Sequence, residues 1–519
     1  MTAEPPRFYA TTSIPYVNGR PHIGHALEFI QTDLIARFQR QLGKDVFFLT
    51  GTDDNSLKNV RAAEKEGIST QELVDRNSQR FVELLRALEI TNDDFIRTAG
   101  PRHFRGVQKL WSACNPDDIY KKTYRGLYCV GCETYYAEDE LKEGKCPVHN
   151  VEPELVEEEN YFFRLSRYQQ PLEELIASGR YRIVPDFRRN EMLSFIRGGL
   201  LDFSVSRSQQ RARNWGVPVP GDPGQVMYVW FDALGNYITG LDFGKPDAES
   251  DPQNRYARYW PCNVHVIGKD IIRFHAIYWP AMLMSAGLPL PRELFVHGFI
   301  NIAGAKMAKS AGNFVDPFEL VEKYGVEVVR YYLARHIHPV QDSDFSYEAL
   351  EEAYTAGLAN GIGNLVSRSL TMIEKNGGGR IKPRACEGAE ERTVRARFDE
   401  VFAGYERLMQ DYDFAQAMNK IWEGVATLDG YINQKAPWSM AKDPAQADAL
   451  EAVLYTLAEG VRMLGSLLHA AMPATAAEIW RRLGLKQSPS DIAWEDQKRW
   501  GLLSEGLQVD KGSPLFPRL

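Results

Sequence analysis

Phe8-Tyr9-Ala10-Thr11-Thr12, then Pro15-Tyr16-Val17-Asn18-Gly19, then His22-Ile23-Gly24-His25-Ala26: these segments follow one another near the start of the chain. The first is rich in β-branched and aromatic residues and reads as a strand. The second is a turn cluster. After it, Ala26, Ile30, Leu34, Phe38 and Leu42 recur every four residues, which gives a helix one apolar face, and Gly43 stops it. Asp45 to Thr52 then holds an apolar run of the kind found in buried parallel strands, and Ser69-Thr70-Gln71-Glu72 has the form of a capping box opening another helix. Strand, helix, strand, helix predicts a doubly wound parallel sheet.

Working outward, the rhythm breaks from about Tyr120 to Trp215, where cysteines, aromatics and short strand-like pieces predominate. That stretch reads as an insertion. The alternation resumes with a strand at Val264-His265-Val266-Ile267, a helix from Asp270 to Gly287 and a strand from Leu294 to Ile300. Asp316-Pro317-Phe318-Glu319 is a helix start, with a capping residue, proline at the first helical position and an acid in the first turn. From there to about Leu483 the period is helical. Ala356 to Leu370, Thr393 to Leu408, Phe414 to Ile432 and Ala447 to Leu468 are four candidate helices of a bundle that follows the sheet.

The 519 residues are 44% hydrophobic and 25% charged, the balance of a folded globular chain of several domains. No apolar run is long enough to span a bilayer, and no basic presequence or signal segment precedes Phe8, so the expected location is the cytoplasm. The net charge of −8 means that any contact with nucleic acid must use local basic surface. Six cysteines are too few and too uneven for a secreted disulfide scaffold. Cys114, Cys262 and Cys386 read as buried apolar residues.

Three motifs carry chemistry. His22-Ile23-Gly24-His25 stands at a helix start after the first strand. Unpaired N–H groups and the positive end of the helix dipole favour an anion there. Gly24 lets a nucleotide approach the backbone, and the two imidazoles can donate to phosphate oxygens. Taken alone, the four residues could also be two unrelated surface histidines. Lys306-Met307-Ala308-Lys309-Ser310, flanked by Gly304 and Gly312, puts two lysines on a glycine-hinged loop able to fold over a triphosphate. A solvated lysine turn would look the same. Cys129-x-x-Cys132, thirteen intervening residues and Cys146-x-x-His149 have the pairwise spacing of a tetrahedral zinc knuckle. Four protein donors close such a site, so the metal would be structural.

The histidine and lysine motifs together, in this order, resemble the signatures of the class I aminoacyl-tRNA synthetases. Thr12-Ser13-Ile14-Pro15-Tyr16-Val17-Asn18-Gly19, Leu49-Thr50-Gly51-Thr52-Asp53, Tyr228-Val229-Trp230-Phe231-Asp232-Ala233-Leu234, Ile267-Gly268-Lys269-Asp270 and Phe274-His275-Ala276-Ile277-Tyr278-Trp279-Pro280 resemble the methionyl-tRNA synthetases in particular. So do Asn160-Tyr161-Phe162-Phe163 and Ala436-Pro437-Trp438. The resemblance runs along nearly the whole chain. It implies a Rossmann-type α/β domain at residues 1–117 and 223–300, split by a zinc-bearing insertion at 118–222. A region carrying the lysine loop and contacting the tRNA stem would occupy 301–355, and an α-helical anticodon-binding domain 356–519.

By the same resemblance, Ile14, Tyr16, Trp230, Ala233, Leu234, Tyr237, Ile271, His275 and Trp279 should line a methionine pocket, with Asp53 meeting the substrate ammonium. Gly24, Glu28, Gly268 and Asp270 should meet ATP. His22, His25, Lys306 and Lys309 should stabilise charge during catalysis, and Asn364, Arg368 and Trp438 should read the anticodon. Cys129, Cys132, Cys146 and His149 should hold one zinc ion. The implied reaction is activation of L-methionine with Mg-bound ATP and transfer to tRNA(Met), the initiator included, by a monomer. Editing of the Leu, Ile and Val synthetase type is not expected, because the insertion is short. Two departures stand out. Ala308 occupies a position where the family usually has serine. Asp54-Asn55-Ser56 stands where many relatives have an acid followed by His-Gly.

Overall fold

The computed structural model describes residues 4–519 apart from 132–133, 137, 149, 303–304, 307–313 and 385–387; for 124, 134–135 and 305–306 it describes the backbone alone. Six parallel strands form the central sheet, in the order Asp94–Arg97, Asp45–Thr52, Arg7–Thr12, Val264–Gly268, Glu293–His297, Arg182–Val184. The strand order reverses between Arg7–Thr12 and Val264–Gly268. A crevice opens at the carboxyl ends of such a pair, because the chain leaves the two strands toward opposite faces of the sheet.

Helix Ile23–Gln41 covers one face. It ends where expected: Gly43 takes a left-handed φ of +76°, which a side chain would resist. Ser69 accepts a hydrogen bond from Glu72 N at the start of helix Thr70–Ala87, and Asp316 accepts one from Phe318 N at the start of Pro317–Tyr324.

The bundle predicted after the sheet is present, with helices Ala389–Gln410, Phe414–Lys435 and Ala447–Leu468. The first candidate, Ala356 to Leu370, is not one regular helix. A π-helical stretch, Tyr354–Gly363, precedes the helix Asn364–Asn376, and Gly361 within it is non-helical at φ −85°, ψ −109°.

The bundle shares a core with the sheet domain: Phe38 lies edge-on to Tyr405 and Trp494. Fully buried Arg330 fastens the two. Its guanidinium donates to Asp33 of helix Ile23–Gln41 (2.7 Å), to Leu88 O (3.1 Å), and to Ala471 O (2.8 Å) and Ala470 O (3.1 Å) after the last long helix. A buried charge is tolerable only when paired and hydrogen-bonded in this way.

Three expectations need correction. The insertion is not wholly separate, because Arg182–Val184 returns to the central sheet and pairs with Glu293–His297 at its edge. The helix expected from Asp270 to Gly287 is broken into a 3₁₀ turn Lys269–Ile271, a π-turn Phe274–Tyr278 and an α-helix Trp279–Ser285. Pro280 has no N–H for the carbonyl four residues back, which favours the wider turn before it. The strand expected to reach Ile300 ends at His297. There Gly298 passes so close to Gln341 that a Cβ would lie 2.2 Å from its carbonyl oxygen, and Ile300–Ile302 pairs instead with Ser343–Phe345. Among the described residues no helix is long and apolar enough to cross a membrane.

Candidate active site

The crevice at the strand reversal is a cavity of about 480 Å³. One wall is the start of helix Ile23–Gln41. His22 caps it with extended backbone, its Nδ1 accepting from Gly24 N (3.1 Å), while His25 Nδ1 accepts from His22 N (3.1 Å). Each ring thus uses Nδ1 as an acceptor, so in the neutral state the proton must sit on Nε2. The rings lie 3.8 Å apart, tilted by 32°. Two imidazoles side by side, each with an Nε2–H donor, are equipped to receive the oxygens of a phosphate.

Gly268 and Asp270 face this wall across the cavity, at the end of strand Val264–Gly268. A Cβ on Gly268 would lie 3.1 Å from Asp270 Oδ1, so glycine keeps that approach uncrowded. Glu28 also lines the cavity, but its carboxylate is engaged. Oε1 accepts from Ser13 N (2.8 Å) and Ser13 Oγ (2.6 Å), and Oε2 meets His297 Nε2 (2.9 Å). Glu28 therefore braces the cavity wall. Burial disfavours the His297 cation, yet the Glu28 hydrogen bond and charge outweigh that and leave its pKa raised above 6.5.

The other end of the cavity is apolar and tightly ordered. Ile14, Tyr16, Ala233, Leu234 and Ile271 line it. Trp230 joins them and stacks on Phe274 with centroids 3.6 Å apart and rings nearly parallel at 6°. Tyr237 Oη lies 2.6 Å from His275 Nε2, and His275 Nδ1 lies 3.0 Å from Ile271 O. The carbonyl can only accept, so Nδ1 carries the proton and the tyrosine donates to Nε2. Burial lowers the His275 pKa to about 4, which keeps that ring neutral. Trp279 is not on the wall. It is fully buried behind Tyr237 (centroids 5.9 Å apart) and donates from Nε1 to His265 Nε2 at 3.3 Å.

Asp53 lines this end too and is 2% exposed, its Oδ1 accepting from Asn55 N at 3.2 Å. The Lys58 ammonium stands 4.3 Å from the centre of the Tyr16 ring. Among the described residues, two buried polar atoms at this end, Asn236 Oδ1 and Trp230 Nε1, have no hydrogen-bond partner.

The lysine motif falls mostly outside the described residues, Lys309 included, and Lys306 is described in backbone only. The flanks are informative. Lys306 pairs with Asn301, one residue past Ile300 on the cavity wall. On the far side, Val315 O accepts from Ile23 N (3.2 Å), and the Phe314 ring lies edge-on to His22 at 6.4 Å. Both ends of the segment are thus anchored beside the histidine wall.

Comparison with known proteins agrees with this layout. The family model for class I (M) tRNA synthetases matches residues 8–153 and 138–370, and one for the anticodon-binding domain of tRNA ligases matches 391–510. The chain is 43% identical over 519 residues to a methionine–tRNA ligase of Thermotoga maritima, covering 99% of this chain and 80% of that protein. It is 44% identical to one from Rhizobium meliloti, covering 98% of each. A solved Mycobacterium tuberculosis methionyl-tRNA synthetase in complex with methionyl-adenylate superimposes with a TM-score of 0.92 at 40% identity, covering 99% of this chain and all of that one. The chain belongs to the methionyl-tRNA synthetase family.

In the departure at residues 54–56, Asn55 and Ser56 each have a local reason. Ser56 caps helix Leu57–Glu66, accepting from Lys58 N at 3.0 Å. Asn55 is buried and its amide donates to Asp232 Oδ2 (2.8 Å) and Thr98 O (3.0 Å). Ala308 lies outside the described residues. Sequence reasoning missed Lys58, His297 and Asn236 as cavity residues. For His297 a signal was available: with Gly298 it ends a strand beside the point where the strand order reverses.

In the bundle, Asn364 is exposed at the first position of its helix. Arg368, one turn on, reaches Asp429 (3.1 Å) and Asn433 (3.3 Å) of helix Phe414–Lys435. That helix leads through the left-handed Ala436 to Trp438, which is 47% exposed. In the insertion, Cys129 ends strand Ile119–Cys129 and pairs with Thr134, while Cys146 accepts from Asn150 N and donates through its own N to Val151 O. Both cysteines are buried; Cys132 and His149 lie outside the described residues. Cys114 and Cys262 are buried as expected, and Cys386 is not described.

Proposed function

We propose that this chain is a methionine–tRNA ligase working in two steps. The methionine carboxylate attacks the α-phosphorus of Mg-bound ATP, the bond to the bridging oxygen breaks, and pyrophosphate leaves with the metal. The 2′-hydroxyl of the terminal adenosine of tRNA(Met) then attacks the adenylate carbonyl and AMP departs. The observation that carries this reading is the single cavity. At one end stands a capped helix start with paired Nε2–H donors, at the other an apolar, aromatic chamber with a buried carboxylate.

The chamber suits a flexible thioether, which is held by shape and by sulfur–aromatic contact. Asp53 takes the ammonium, and Gly268 and Asp270 take the ribose. His22 and His25, with Lys306 and Lys309, stabilise charge on the phosphates as it builds. No side chain serves as a covalent nucleophile, so catalysis is positioning plus electrostatics. Asn364, Arg368 and Trp438 supply two polar groups and an open indole for splayed anticodon bases, the initiator tRNA included.

Cys129, Cys132, Cys146 and His149 hold one zinc ion as part of the insertion's scaffold. The donor chemistry fits: three thiolates and an imidazole are the soft and borderline donors that suit a four-coordinate zinc ion. The metal takes no part in the reaction. We read the chain as acting as a monomer in the cytoplasm. Amino-acid-dependent exchange of pyrophosphate into ATP, run with all twenty amino acids, tests the reading. Exchange with methionine alone supports it, and exchange with none or with another amino acid defeats it. Metal analysis of the purified protein checks for one zinc per chain.

A further inference from the structure

The loop that carries Asp53 and the helix that carries Trp230, Ala233 and Leu234 both line the amino-acid end of the cavity. Apolar contacts alone would let two such elements slide. A buried polar chain joins them instead. Asn55 N donates to Asp53 Oδ1 at 3.2 Å, and Thr98 Oγ1 lies 3.4 Å from the same oxygen. The Asn55 amide crosses to Asp232 Oδ2 at 2.8 Å. On its other oxygen Asp232 meets His103 Nε2 at 2.5 Å, and His103 Nδ1 lies 2.8 Å from Thr239 Oγ1. Asp53, Asn55, Asp232, His103 and Thr239 are each less than nine per cent exposed.

We propose that Asn55, Asp232 and His103 act as positioning residues that set the span between the ammonium-binding carboxylate and the thioether-binding wall. Asp232 sits inside the helix whose neighbouring positions face the methionine, so a hydrogen bond to it fixes that wall directly. Asn55 bonds through its backbone to Asp53 and through its side chain to Asp232, so it measures the gap from one side to the other. His103, on helix Pro101–Ala113, anchors the far oxygen of Asp232 and stops the carboxylate from rotating away. Such a brace should govern fit to the amino acid and leave the nucleotide end, built from other elements, unaffected. The inference rests on the proposed methionine-activating function.

Pyrophosphate exchange by the full-length protein tests it, with methionine, its S-ethyl analogue and ATP each varied. Removing a buried bond to a charged group should raise KM for methionine by roughly tenfold to a hundredfold in Asn55→Ala, with KM for ATP changed less than about twofold. The preference for methionine over the S-ethyl analogue should fall by roughly fivefold, since one methylene is discriminated only by a close-fitting wall. Asn55→His keeps an N–H for Asp232 and should recover most of the methionine KM. His103→Ala should shift the same two quantities in the same direction. A methionine KM within twofold of wild type in Asn55→Ala overturns the proposal. So does an equal rise for methionine and ATP with a lowered melting temperature, which would mark a general folding role. Absence of methionine-dependent exchange in the wild-type protein would instead refute the proposed function.

Discussion

The two ends of the cavity solve the problem of recognition by different means. The nucleotide end is made of backbone and donors: a helix start, Gly24, Gly268 and a histidine pair held through Nδ1 with its protons on Nε2. The amino-acid end is made of side chains whose polar atoms are mostly committed to one another, such as Tyr237 with His275 and Asn55 with Asp232. A transition state changes shape and charge at phosphorus, so donors aimed at developing charge serve that end. A substrate side chain does not change during the reaction, so a fixed mould serves the other. Changes at the nucleotide end should therefore register in kcat, and changes at the amino-acid end in KM for methionine.

The largest effect is expected at the histidine pair. His22→Ala or His25→Ala should each slow methionyl-adenylate formation by about 10²–10³-fold, the loss typical of a donor aimed at transition-state charge, while methionine affinity stays near wild type. Stopped-flow adenylate formation with equilibrium methionine binding separates the two. A loss confined to methionine affinity would break the contrast. Next in size, Tyr237→Phe strands the buried acceptor His275 Nε2 and should raise KM for methionine by roughly tenfold with little change in KM for ATP. A fall in kcat alone would show that this hydroxyl acts on the reaction and not on the fit. Away from the cavity, Trp438→Ala should weaken tRNA charging by roughly tenfold, the worth of one stacked base, and leave pyrophosphate exchange unchanged.

What could be read from sequence follows the same division. The nucleotide end is local: His22 to His25 is a short run read from its place between a strand and a helix, Gly268 to Asp270 is a short run implied by the family resemblance, and residues of both line the cavity. The doubly wound sheet and the bundle were legible for the same reason, since hydrophobic period and capping residues act within one element. The amino-acid end is assembled from distant segments, and there sequence reasoning blurred. Trp279 shares a motif with His275, yet the turn widened before Pro280 sends the indole into the layer behind the wall. At the nucleotide end too a partner can be remote: Glu28 follows His25 by three residues on one helical face, and nothing in the local sequence announces that its carboxylate meets His297, 269 positions away. The edge strand Arg182–Val184 escaped notice because three residues carry too little pattern to distinguish it from insertion loop.

Glu28 and His297 offer the smallest effect, because the pair ties helix Ile23–Gln41 to strand Glu293–His297 on the cavity wall, each group already engaged by the other. The His297 pKa is raised in the folded protein, with burial opposing and the Glu28 carboxylate prevailing. A raised histidine pKa means that the folded state holds the proton more tightly than the unfolded chain does. The stabilisation is thus complete below about pH 6.5, the unfolded value, and fades as pH rises through the folded value. Melting temperature should then decline slightly over that interval, by about one to two degrees for a contribution of this kind in a chain this size. Glu28→Gln removes the charge that raises the pKa and should flatten the decline, at the cost of a lower melting temperature at acidic pH. If the variant and the wild type follow parallel pH curves, His297 carries no extra proton in the folded state. The bond to Glu28 would then be one between a neutral imidazole and a carboxylate, as fixed and as indifferent to pH as the Tyr237–His275 pair at the other end.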